Sequence, residues 1–389
     1  VIKDFERLSG DLAEIRAAVG QLCDKFPASY WQEMDAERRY PEAFVDALTE
    51  AGWLSILIPE EYGGGGMGIS AASVVLETIN RHGGSAYAAH AQMYTMGTVL
   101  RHGSDEQRQR YLPQIADGSL RLQSFGVTEA DAGSDTTQIA TFADRDGDDY
   151  VINGSKVFIS RYFHSDLMLL LARTTKRADV ENKADGISTF IVDLRTAGDA
   201  IKASPIKTMV NHETTALFID NLRVPAANLI GEEGKGFSYI LSGLNAERIL
   251  TCSGQLGGAY WFLDRAAQYA NERVVFDRPI GKNQGIQFPL AQAYVELSAA
   301  SAMRWRAIDL FEAGEQPGFE ANSAKYLSSK AQWAAANAAM DTFGGWGMTE
   351  EYGIERKFRE ARLSLVAPVS NNLVMNYVAT KMLRLPRSY

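Results

Sequence analysis

Apolar residues recur at three-and-four spacing along DLAEIRAAVGQLCDKF, PEAFVDALTEAG and ISAASVVLETINRH, so residues 1–122 are expected to be helical. Pro41 suits a helix start, because the first turn leaves its N–H groups unpaired and proline has none to lose. From 123 to 232 the rhythm shortens. YVINGSKVFIS, LMLLLART, ISTFIVDL and TTALFIDNLRV are β-branched and aromatic runs, with turn signals at Asp146-Gly147 and Asn153-Gly154; they predict a small, mostly antiparallel β domain. From 233 to 389 long helical patterns return through YWFLDRAAQYANERVVF, LAQAYVELSAASAMRWRAIDLFEAG and YLSSKAQWAAANAAMDTF, which are expected to pack as a bundle. Helices, then strands, then helices is a segregated order that excludes an alternating parallel α/β sheet.

One residue breaks the pattern. Glu247 stands in GFSYILSGLNAERIL, where Phe237, Ile240, Leu244 and Thr251 fall within about a quarter-turn of it at 100° per residue. Burying an unpaired carboxylate costs several kcal/mol or raises its pKa. The chain therefore either satisfies Glu247, with Arg248 as the nearest cation, or uses it.

Composition narrows the class. With 389 residues, 46% hydrophobic and 22% charged, the chain reads as an ordinary globular protein of two or three domains. A net charge of −9 argues against nucleic acid as the main partner. Cys23 and Cys252 give neither a disulfide framework nor a zinc spacing, which points to a reducing compartment. No apolar run reaches the length of a membrane span. The expected location is the bacterial cytoplasm or the mitochondrial matrix; no targeting segment is visible, and a start at Val1 suggests trimming that leaves room for one already removed.

Several motifs carry no chemistry. GGGGMG at 63–68 matches a dinucleotide-binding glycine spacing but follows IPEEY instead of a buried strand, and is expected to be a flexible loop. GEEGKGF at 231 lacks the hydroxyl residue and spacing of a phosphate-binding P-loop and reads as a turn before a helix. His82, His90, His102, His164 and His212 show no ligand spacing, so no metal is expected. Ser124 and Ser160 lie on strand-like sequence, away from any glycine-flanked elbow, which leaves nucleophilic hydrolysis unsupported.

SFGVTEADAGSD at 124–135 is a glycine-spaced loop rich in hydroxyls and backbone N–H groups, suited to a polar ring edge and a pyrophosphate. It resembles the V-T-E-x-x-A/P-G-S-D motif of the acyl-CoA dehydrogenase family. NGSKVFIS at 153, VPAANLIGEEGKGF at 224, RVVFDRPIGKNQ at 273 and FGGWGMTEEYGIERKFREAR at 343 resemble four further motifs of that family, in the same order. The resemblance implies a helical N-terminal domain, a central antiparallel β-barrel and a C-terminal four-helix bundle, with FAD held between barrel and bundle. On this likeness Val127 and Thr128 meet the flavin pyrimidine edge, Ser134 the pyrophosphate, Phe158 stacks on the ring and Ser160 approaches N5. Phe125, Gly133, Ser370 and Asn372 complete that set. Phe158 stands for a family tryptophan and Ser160 for a threonine, and both keep the physics of a flat aromatic and a hydroxyl donor. Arg273, Phe276, Gln284, Asp341, Gly344 and Gly345 are implied to address the FAD of a neighbouring subunit, so a homo-oligomer, a dimer of dimers, is expected. Asp341 stands where relatives usually carry glutamine, which puts a carboxylate near an anionic cofactor, and a plain surface helix-end arginine is the alternative reading of Arg273.

Relatives usually carry the catalytic glutamate in Y-E-G-T after A-R; here the window reads APVS, with Pro368 at the glutamate register. Proline supplies neither a base nor an N–H. The isovaleryl-CoA dehydrogenase branch instead carries its glutamate in S-G-L-x-x-E-R, which SGLNAERIL matches with Glu247. Glu247 thereby becomes a candidate general base, with Asn245, Arg248 and Ser134 implied to border the CoA arm; Arg248 as a plain bundle salt bridge stays open. The reaction implied is α-proton removal with β-hydride transfer to flavin N5, giving a trans-2-enoyl-CoA, and reoxidation by an electron-transferring flavoprotein or similar acceptor. Ala367 and Pro368 in place of larger residues suggest room for a branched acyl group. Two other readings stand: a flavin-dependent monooxygenase or oxidase on the same fold, and a catalytically silent acyl-CoA or FAD binder.

Overall fold

A computed structural model describes residues 8–387 of the chain. Six helices come first: α1 Asp11–Cys23, α2 Ala28–Ala36, α3 Glu42–Glu50, α4 Ile69–Arg81, α5 Tyr87–His102 and α6 Asp105–Ala116. Seven strands follow: β1 Leu122–Gly126, β2 Phe142–Asp146, β3 Asp149–Ser160, β4 Leu167–Arg173, β5 Ile187–Asp193, β6 Ile201–Pro205 and β7 Thr214–Pro225. Helix α7, Gly236–Glu272, leads through a short hairpin, β8 Val274–Val275 and β9 Arg278–Pro279, into α8 Gln284–Glu312, α9 Gly318–Phe343, α10 Ile354–Leu363 and α11 Asn371–Tyr377. None of the helices among the described residues is long and apolar enough to cross a membrane.

The chain forms two compact units. Of the described residues, one unit contains those up to Glu37, Gly68–Ala86 and those from Asn245 onward; the other contains Arg38–Met67 and Tyr87–Leu244.

In the second unit the seven strands make one curled sheet ordered β1-β4-β2-β3-β7-β6, with β5 on β4. Pairing is mostly antiparallel; β1 enters parallel to β4, and β2 touches β4 in parallel at Phe142 and Arg173. Strand β4 is buried along its whole length, as its unbroken apolar run requires. Its one charge, Arg173, spends its guanidinium on the carbonyls of Ile139, Thr137, Asp185 and Lys183, fastening the loops around the strand. Tyr150, Ile152, Phe190, Leu217 and Val224 are among the side chains filling the curl.

Two local expectations are corrected here. The Gly63–Gly66 run is no flexible loop: the N–H groups of Gly64, Gly65, Gly66 and Met67 donate to Pro59, Ser55, Ile58 and Ile56, and a Cβ on Gly64 would stand 2.1 Å from the Ile58 carbonyl oxygen. The glycines are there for close packing. Asn153-Gly154 is no turn either. It lies inside β3 at a bulge opposite β7, where a Cβ on Gly154 would meet Thr141 Oγ1 at 2.5 Å.

In the first unit, α7, α8 and α9 share a core of Leu256, Tyr260, Phe262, Leu297 and Phe343 lined with alanines at 293, 300, 324, 331, 335, 336 and 339. Those small side chains let long helices approach closely. The fully buried Glu77 of α4 accepts from Arg16 and Arg304, so this carboxylate is satisfied by two cations. The β8–β9 hairpin turns on Phe276 and Asp277, both left-handed with φ of 52° and 61°. That is the signature of a type I′ turn, and neither residue is glycine. Asp277→Gly is therefore expected to stabilise the unit by about 0.5–1 kcal/mol, seen as a raised thermal midpoint. An unchanged or lower midpoint would contradict the strain argument.

Candidate active site

The sheet unit gathers the expected flavin residues at the ends of β1 and β3. β1 carries Phe125 and runs into Val127 and Thr128, and the Val157 N–H of β3 donates to the Thr128 carbonyl at 2.9 Å. Beneath them lies a pair that the sequence motifs contained but periodicity did not single out. Lys156 Nζ, buried, donates to Glu129 Oε1 at 2.8 Å and to the Val127 carbonyl at 3.0 Å. Glu129 also accepts from the N–H groups of Ala140 and Thr141, at 2.6 and 3.0 Å. Burial pushes the Lys156 ammonium down to about 8, partly offset by Glu129. Burial works against the Glu129 carboxylate too, but Lys156 and the N–H donors outweigh it and hold its pKa below the usual range. The 127–141 loop is thus stapled to β3 by a buried, hydrogen-bonded ion pair. The lone charge of Lys156 in the strand-like run YVINGSKVFIS was the signal that could have found it.

That staple leaves a presented surface. Between Lys156 and Ile159 the register of β3 against β7 shifts, and Phe158 sits there with a left-handed φ of 59° and is 63% exposed. A bulky residue in that conformation is strained, and a bulge that turns its ring out to solvent is a feature with a use. Ser160 ends the strand, its hydroxyl accepting from Asn211 Nδ2 at 2.6 Å. Gly133 has open space where a Cβ would stand, and Ser134 beside it is exposed. An exposed flat ring, an oriented hydroxyl and an open glycine-serine loop are features that suit a flat heteroaromatic group with a phosphate tail.

In the helical unit, α7 carries Glu247 buried, 6% exposed. Among the described residues its carboxylate makes no hydrogen bond and no ion pair; Arg248 lies near enough to lower its pKa slightly, and its Nη1 reaches Asn245 Oδ1 at 3.4 Å instead. Desolvation wins and pushes Glu247 from 4.5 up to about 7. The salt-bridge reading of Glu247 therefore finds no support in the geometry. Arg248 is itself desolvated below its usual range.

The window after α10 is also defined. Ser370 Oγ caps α11 by accepting from the Leu373 N–H at 3.3 Å, and Asn371 accepts from the buried Lys325 Nζ at 2.8 Å. Burial first, and Arg248 second, push Lys325 down to about 8. Pro368 and Asn372 are exposed.

The same unit holds an open cleft of about 670 Å³. Arg273, Asp341, Gly344 and Gly345 line it together, joined by Tyr269, Asn283 and Trp346; Phe276, Gln284, Ser370 and Asn372 do not. Gly344 ends α9 with φ of 58°.

The family model described as acyl-CoA dehydrogenase, N-terminal domain, matches residues 9–119; the middle-domain model matches 124–222 and the C-terminal-domain model 234–383. The chain is 34% identical over 378 residues to acyl-CoA dehydrogenase fadE12 of Mycobacterium bovis, covering 96% of each chain. It is 34% identical over 389 residues to glutaryl-CoA dehydrogenase of Desulfococcus multivorans, covering 98% of each. Among solved structures, butyryl-CoA dehydrogenase from Megasphaera elsdenii superposes with a TM-score of 0.90 at 26% identity, over 98% of this chain and 100% of that one.

Proposed function

This chain belongs to the acyl-CoA dehydrogenase family of FAD-dependent oxidoreductases, and from that premise we propose that it desaturates an acyl-CoA thioester at Cα–Cβ with Glu247 as the general base. The observation that carries this reading is the unpaired, buried carboxylate with a pKa near 7. A base must be deprotonated at working pH and still hold the proton it takes, and a pKa near 7 meets both needs. The α-proton passes to a Glu247 carboxylate oxygen, the β-hydrogen departs with its electron pair, and the Cα–Cβ double bond forms. FAD, when bound, supplies the two-electron acceptor.

The residues present fit that cofactor. Phe125, Val127, Thr128, Gly133, Ser134, Phe158 and Ser160 are the candidate holders on the sheet unit, with the exposed Phe158 ring as the flat stacking surface. Arg273, Gly344 and Gly345 line a cleft suited to a phosphate-bearing group held by a second copy of the chain, although the Asp341 carboxylate in the same cleft opposes that charge. Phe276 at 93% exposure, Phe288 at 60% and Val295 at 66% support a homo-oligomer, since such apolar side chains gain most when covered. A branched or bulky acyl chain fits the loss of the usual glutamate at Pro368, and an electron-transferring flavoprotein is the proposed acceptor of the reducing equivalents.

Pro368 also favours a second reading, oxygen activation on the same fold. Anaerobic bleaching of the flavin absorbance by a panel of straight and branched acyl-CoAs separates the two. Bleaching supports the dehydrogenase, and its best substrate names the chain. Absent bleaching together with rapid oxygen consumption under a reduced-flavin supply would bring the monooxygenase forward.

A further inference from the structure

Helix α5 ends in Arg101 and His102, and the two side chains do different work. His102 Nε2 lies 2.6 Å from Ser242 Oγ, and its ring stacks on Tyr239 at 4.6 Å. The Ser242 hydroxyl donates to the Tyr239 carbonyl at 2.7 Å, so it accepts from His102, which fixes the proton on Nε2. Burial first and Arg101 second hold the His102 pKa below its usual value, so the ring is neutral at pH 7. This neutral clamp sets the first turns of α7 against the end of α5.

Arg101 has no such partner. Among the described residues it makes no hydrogen bond and no ion pair, although solvent reaches it. Its guanidinium folds back over Gly97, one turn earlier on α5, and abuts Gly243: a Cβ on Gly97 would stand 3.0 Å from Nη1, and one on Gly243 2.6 Å from Nη2. Two helices thus each offer a glycine where the guanidinium lies. The surrounding protein desolvates the cation and lowers its pKa, with no carboxylate offsetting that loss. The guanidinium lies against both glycines with its donors uncommitted to any protein group among the described residues.

We propose that Arg101 is an oxyanion-binding residue, lying between Gly97 and Gly243, one turn of α7 before Glu247, to grip a carboxylate or phosphate group carried by the acyl-CoA. The inference rests on the acyl-CoA reading above and adds a specificity determinant to it. The ligand group is planar or tetrahedral and anionic, because a guanidinium offers paired donors to two oxygens.

The test is calorimetric titration of the FAD-loaded protein, native, R101Q and G243A, with butyryl-CoA, glutaryl-CoA, butyryl-3′-dephospho-CoA and butyryl-pantetheine. R101Q is expected to weaken the matched ligand ~10- to 100-fold, the loss of one charged bidentate contact. G243A keeps the charge but pushes the guanidinium aside, and is expected to weaken the same ligand; it also stands in if R101Q fails to retain FAD. A loss confined to glutaryl-CoA assigns the contact to an acyl carboxylate. A loss shared by both full CoA esters assigns it to phosphate: to the 3′-phosphate if the dephospho ester is spared, to the pyrophosphate if only the pantetheine ester is. Unchanged affinities for all four ligands in both variants would overturn the inference while leaving the acyl-CoA reading intact. If native protein binds none of the four, the acyl-CoA reading fails and the inference falls with it.

Discussion

Glu247→Gln is expected to lower kcat for flavin bleaching by a factor of about 10²–10⁴, the usual share of a positioned general base, while acyl-CoA still binds. The amide keeps the shape and cannot take the proton. Two pH profiles sharpen the expectation, because they run in opposite directions. Activity needs the carboxylate, so kcat/KM in native protein should fall about tenfold per unit as pH drops below about 7. Stability favours the acid form. A carboxyl whose folded pKa is raised from 4.5 to about 7 contributes fully below pH 4.5, and that contribution is lost as pH rises through about 7. The loss is on the order of 3 kcal/mol by linkage. The Gln variant has no charge to bury, so its stability relative to native protein should grow from pH 5 to pH 8. If Glu247 were a structural ion pair, the variant would instead be less stable than native at pH 8. Unfolding curves at the two pH values therefore discriminate the two roles without any turnover. Bleaching that survives in the variant would keep the reaction and discard the base.

The sequence showed most of this molecule where a single period governs a segment. The three-and-four spacing of ISAASVVLETINRH became α4, and the apolar run LMLLLAR became the buried β4, because burial of a face or a strand is written locally. Glu247 was legible for the same reason: one carboxylate on an apolar stripe is a local anomaly, and the structure leaves it unpaired. What failed was packing that depends on another segment of the chain. Asn153-Gly154 looks like a hairpin turn until Thr141 is placed beside it, and the Gly63–Gly66 run looks mobile until Ile56 and Ile58 accept its N–H groups. Arg101 had no sequence signal, since its slot needs Gly97 and Gly243 on two helices. The motif resemblance named Arg273, Phe276, Gln284, Asp341, Gly344 and Gly345 together, but only four of them line the open cleft. Phe276 occupies the tip of the β8–β9 hairpin, exposed to solvent.

Lys156→Met is expected to cost about 3–5 kcal/mol of stability, because it strands the Glu129 carboxylate in a buried place with only its two backbone N–H donors. The effect should not stop at stability. Lys156 also holds the Val127 carbonyl, so the loop from Val127 to Thr141 loses both of its ties to the Lys156 ammonium and keeps only weaker ones, such as the Val157 N–H to the Thr128 carbonyl. That loop carries Thr128, Gly133 and Ser134, the residues proposed to meet FAD, and the variant should release flavin on gel filtration that native protein retains. Pairing it with Glu129→Gln tests whether the cost comes from the stranded charge. The double variant removes both charges, and its loss should be smaller than that of Lys156→Met alone, by about 1–3 kcal/mol. A double variant as unstable as the sum of the singles would mean that the two side chains act independently, which contradicts the ion-pair staple. A double variant that regains stability but still sheds flavin would separate the two roles. The charge pair would then account for the fold energy, and the Lys156 hydrogen bond to Val127 for the geometry of the loop.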